Sequence, residues 1–102
     1  MNGKTAKDAK AVAMIATTIW IKSEILRSPV QAAKLIGPEF TRQFVAEFQA
    51  RYKMLKDQWE RTPKNERAAL RAHWLKTSQA NAENAKLKQP EIDMARDIVK
   101  SL

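Results

Sequence analysis

The residues of this chain that could do chemistry are cationic and aromatic. Lys64, Arg67, Arg71 and Trp74 follow one another at steps of three, four and three, a spacing that puts them on one face of one helix. Lys76, Lys86 and Lys88 carry the positive charge further along the chain. Cations beside an indole suit an anionic partner, because they contact phosphate oxygens while the ring stacks on a base. The same residues suit an acidic protein surface, or a cation–π pair on a solvated helix. Trp59 precedes the group and, with Trp20, brings the tryptophans to three, a number that a small domain need not cover entirely. Tryptophan is a frequent interface anchor. The partner-binding set expected from the sequence is therefore Trp59, Lys64, Arg67, Arg71, Trp74, Lys76, Lys86 and Lys88.

Catalytic chemistry finds little to work with. His73 is the only histidine, and no second histidine or carboxylate stands at metal-ligand spacing around it. Glycines of the kind that make a nucleophile elbow are missing near it. The seven glutamates are scattered among basic residues, as on helix surfaces. The absence of cysteine removes disulfides, thiolate catalysis and cysteine-based zinc sites. The expectation is a protein that is not an enzyme, with no catalytic residues, metal or cofactor.

The elements that must position the cationic group are helices. Phe40, Phe44, Phe48, Tyr52, Leu55 and Trp59 recur at steps of four and three, one apolar face of a helix that packs as core. Proline marks the boundaries. A first helix is expected over 5–27, with Val12, Ile15, Ile19 and Leu26 on one side, Met14, Ile21 and Ile25 on another, and a narrow polar strip of Lys10, Thr17 and Glu24. A helix apolar on most sides is either central in a core or covered by a partner. Ser28-Pro29 signals a short helix to Ile36, ended by Gly37 in the left-handed conformation. The aromatic helix follows from Pro38 to Arg61, and Thr62-Pro63 opens a helix anchored by Leu70 and Trp74. Pro90 opens the last helix, with a stripe of Ile92, Ala95, Val99 and Leu102. Residues 76–89 have helical propensity but only Leu87 as a large apolar group, so they read as an exposed helical arm, a linker, or a segment ordered by a partner. The run Gln31 to Gly37 has the small residue, Ala33, and the turn glycine of a helix-turn-helix, but Pro38 and Gln43 stand where that motif wants apolar groups.

These elements make one all-α domain over 1–102, a small bundle of four to five helices joined by tight proline-marked turns. The composition agrees: 44% hydrophobic, 29% charged, two glycines and no hairpin turn signal. The apolar run Ala11 to Ile21 is shorter than the ~20 residues of a spanning helix. Lys22-Ser23-Glu24 follows it without a cleavage site, so no membrane and a cytoplasmic location are expected. The net charge of +8 favours acidic partners.

In size, charge and helicity the chain resembles the small basic helical proteins that phages and mobile elements encode to bind host machinery, the anti-RecBCD inhibitors among them. The resemblance implies an inhibitor or adaptor that occupies a larger protein, one that handles nucleic acid. Two other readings stay open. One is a direct DNA-binding module, dimeric through the first helix; the other is a small structural or assembly protein. On the first reading Arg67 and Arg71 are free to meet the partner, and reversing both to glutamate leaves the fold intact while abolishing binding.

Overall fold

Asn2 starts the first helix: its side-chain oxygen accepts from the Thr5 backbone N–H at 2.9 Å, satisfying a donor that has no partner within the helix. Helix α1 then runs over Gly3–Arg27. The computed structural model describes residues 1–30 and 37–102. Its remaining elements are α2 (Gly37–Arg61), a single 3-10 turn (Lys64–Glu66), α3 (Arg67–Asn84) and α4 (Gln89–Lys100), an all-α bundle with no strand among the described residues. Most of the short helix expected before Gly37, and the helix-turn-helix-like run with it, lies outside them. Gly37 itself has φ +56°, the left-handed conformation that only glycine adopts without strain.

Helix α1 is the centre, and the other three pack on it. Helix α2 lies antiparallel to it, with Phe40 beside Ile25 at one end and Leu55 beside Val12 at the other. Helix α3 lies parallel, tied by Arg71 to Asp8 and, past its end, by the Lys86 carbonyl to Lys22. The aromatic stripe builds the core as expected: Phe44 and Phe48 are buried, stacked on half-buried Phe40 and Tyr52 respectively. Met14 and Ile21 of α1 and Ala95 of α4 complete the buried cluster.

The buried face of α1 differs from expectation. Thr5, Ala9, Ala13 and Thr17, each four residues on, are all within 2% of complete burial, so the strip read as polar at Thr17 faces inward. Small side chains let neighbouring helices approach the central one. The threonines fit there because the Thr17 and Thr18 hydroxyls donate to the carbonyls of Ala13 and Met14, at 2.8 and 2.7 Å. With their hydroxyls satisfied within the helix, they behave as small neutral spacers. Conversely Val12, Ile15 and Ile19, one side of the expected core, are only half-buried.

Two ends also shift. The Thr62 hydroxyl donates back to the Gln58 carbonyl at 2.7 Å and is not an N-cap, so Thr62-Pro63 opens the 3-10 turn and α3 begins at Arg67. Helix α4 ends at Lys100, leaving Leu102 59% exposed and outside the apolar stripe.

Candidate functional site

The sequence-nominated residues divide into an internal brace and free lysines. Trp59 and Trp74 meet at a centroid distance of 5.8 Å, closing the corner between α2 and α3. Trp74 is buried, and its indole N–H donates to Gln58 Oε1 at 2.9 Å. The Arg67 guanidinium lies 5.4 Å above the Trp59 ring, and its Nε donates to the carbonyls of Trp59 and Thr62, both at 3.1 Å. Those carbonyls lie at and just past the C-terminal end of α2, where the Trp59 carbonyl also accepts from the Thr62 N–H at 3.2 Å and a cation is favoured. Arg71 Nε donates to Asp8 Oδ2 at 2.6 Å, joining α3 to α1. The structure thus brings Trp59, Arg67 and Trp74 together, and with Arg71 they hold the bundle. The expectation that both arginines are free is corrected: each has a charge-assisted or carbonyl partner that glutamate would repel or lose.

Lys64, Lys76, Lys86 and Lys88 are exposed. Among the described residues, ion pairs engage every arginine except Arg61 but only Lys22 of the lysines. The excess positive charge therefore sits on lysines. Residues 76–84 continue α3 as helix, with Ser78 and Ala82 half-buried on its inner edge, and 85–88 form the turn into α4.

The feature that sequence reasoning did not find is a groove. Past the tryptophan corner, one side of α1 is left open between α2 and α3. The floor is Val12, Ile15, Ala16 and Ile19; Leu55 and Gln58 form one wall, and His73, Thr77, Ser78 and Asn81 the other. The hollow measures about 220 Å³. Around Leu55 the apolar surface continues over Ala16 and Arg51 to Met54, which is 68% exposed. The arrangement is an apolar trough with hydrogen-bonding groups along its lips, suited to the ridge of another helix. The signal for it was present in the sequence as the second apolar side of α1. A second hollow, about 360 Å³, lies at the other end where Ile25, Leu26, Phe40 and Met94 converge.

One carboxylate is tuned by its surroundings. Glu91 accepts from the Lys88 backbone N–H at 2.9 Å and from Lys22 Nζ at 3.0 Å. The backbone hydrogen bond first, and Lys22 second, hold its carboxyl below the usual range against the opposing effect of burial. This is the start of α4, where a carboxylate also meets the helix dipole. The role is structural: Lys22 and Glu91 link α1 to α4.

No described group of histidine and carboxylate side chains has the geometry to hold a metal ion, and no described helix is long and apolar enough to cross a membrane. The chain matches no family model, no curated protein and no solved structure.

Proposed function

We propose that this protein is a non-enzymatic interaction protein, which takes an apolar helical ridge of a larger protein into the α1 groove and changes that protein's activity by occupancy. The observation that carries the reading is the open trough of Val12, Ile15, Ala16 and Ile19, with Leu55 and exposed Met54 extending it. Contiguous apolar surface on a small protein marks a contact site more often than scattered single residues do. The partner's chemistry follows from the charge. An apolar ridge flanked by acidic residues is complementary to a trough on a +8 molecule.

The test is a pair of charge insertions. Ala16 and Ala72 are both exposed helical residues, one on the groove floor and one on α3 outside the groove lining. Ala16→Glu should leave thermal unfolding unchanged and lower recovery of the physiological partner from nuclease-treated host extract by about tenfold or more, since a charge is buried unpaired on docking. Ala72→Glu should recover the partner as wild type does. Equal recovery by both variants would remove the groove from the interface. Loss of nothing but self-association would make the occupant a second copy of this chain.

A further inference from the structure

We infer that the pole of the bundle where α1 begins and α2 ends is a sequence-independent binding surface for the phosphate backbone of duplex nucleic acid. The antiparallel packing brings Lys7 and Lys10 of α1 to the same end as Lys53 and Lys56 of α2, with Lys4 and Lys64 beyond them. The convergence is visible at Tyr52, whose ring has the Lys10 ammonium 5.7 Å and the Lys56 ammonium 4.8 Å from its centre. Two cations from different helices thus meet one phenol ring. The local acids offset only part of this charge. Asp8 is paired with Arg71, and Glu60 approaches Arg67 at 4.0 Å. Asp57 and Glu66 make no ion pair among the described residues, and their two charges leave the six lysines Lys4, Lys7, Lys10, Lys53, Lys56 and Lys64 in excess.

Which polyanion fits follows from the kind of cation. Lysine is a flexible point charge that cannot make the planar two-pronged contact by which arginine reads a guanine edge. Lysines at 4.5 Å steps along two helices therefore suit a ligand whose negative charges are dense and regular, about one per 3.4 Å along each strand. An acidic protein surface seldom offers that density. Tyr52 is half-buried, stacked on Phe48 and flanked by the two ammoniums, so it offers no open face for an unpaired base. That favours the backbone of a duplex over a stacked single strand. Lys7, Lys10, Lys53 and Lys56 do not line the α1 groove.

The probe is a random-sequence 25-base-pair DNA duplex, with binding followed by fluorescence anisotropy between 50 and 200 mM salt. The wild type should bind with a slope of log affinity on log salt of about −3.6, four phosphates at about −0.9 each. Replacing Lys7, Lys10, Lys53 and Lys56 by glutamine should flatten the slope towards zero with thermal unfolding retained. Replacing Lys76, Lys86 and Lys88 by glutamine should lower the slope by no more than one unit. Ala16→Glu should bind the duplex as wild type does, which separates this surface from the groove. No wild-type binding at 50 mM salt, or equal losses in the two lysine variants, would overturn the inference. Tighter binding to poly-glutamate than to the duplex, lost in the same four-lysine variant, would reassign the pole to an acidic protein.

Discussion

Phe44 shows what a residue's type and spacing reveal when burial is local to one helix face. It is completely buried, and Phe44→Ala should cost about 3–5 kcal/mol in urea unfolding, more than Phe40→Ala at its half-buried neighbour. Equal losses at the two positions would place the core elsewhere. Arg67 and Arg71 show the opposite case. Their spacing was legible, but Asp8 lies 63 residues from Arg71 in the chain, and no pattern announces such a pair. Thr17 was misread because a hydroxyl that bonds its own helix is invisible in a polarity pattern. Glu91 gives a prediction in pH. Its folded-state carboxyl titrates below the ordinary 4.5, so its contribution is present above that value and is lost as pH falls through the lowered one. The urea midpoint of the wild type should therefore fall more steeply below pH 4.5 than that of Glu91→Gln, which has no such carboxylate to protonate. Parallel curves would show that the Lys22–Glu91 link adds nothing to stability.

The helices themselves were largely legible, because each begins or ends on a residue with a backbone preference. The aromatic helix from Pro38 to Arg61 is found over Gly37–Arg61, and the last helix from Pro90 over Gln89–Lys100. The segment over 76–89 was harder, since its propensity is helical but its packing is slight. It is helix to Asn84 and then turns: the Leu87 N–H reaches the Ala82 carbonyl and the Lys86 N–H the Glu83 carbonyl, both at 3.1 Å. This Schellman closure needs a left-handed residue, and Lys86 supplies it at φ +54° where glycine is usual. Lys86→Gly should therefore stabilise the protein by about 0.5–1 kcal/mol, while Lys86→Ala should not. A loss on Lys86→Gly would show that the Lys86 side chain contributes more than its backbone strain costs. Past Trp74 no residue of α3 is buried, so amide exchange should be faster over 76–84 than over 42–58.

At the scale of the whole molecule the bundle is a long body, 46 × 27 × 20 Å, in which one central helix is packed unevenly. The all-α architecture follows from composition, proline placement and the aromatic stripe. The groove does not, because it depends on how far α2 and α3 separate across α1, a distance set by the Trp59–Trp74 corner and by small residues at the seams. The sequence does show that α1 is apolar on more than one side, and the structure shows which side is left uncovered. The lysine pole was likewise hidden, since Lys10 and Lys56 are near in space only through antiparallel packing. The central claim is that the α1 groove is where a protein partner sits. The most direct measurement places a photo-crosslinking amino acid at Ala16 on the groove floor or, in a separate protein, at Ala72 outside it, and irradiates each in native host extract. The account predicts one discrete crosslinked partner from position 16, absent from position 72 and displaced by excess unlabelled wild type. A crosslink of equal yield from both positions, or none from position 16 when partner recovery is intact, would contradict it.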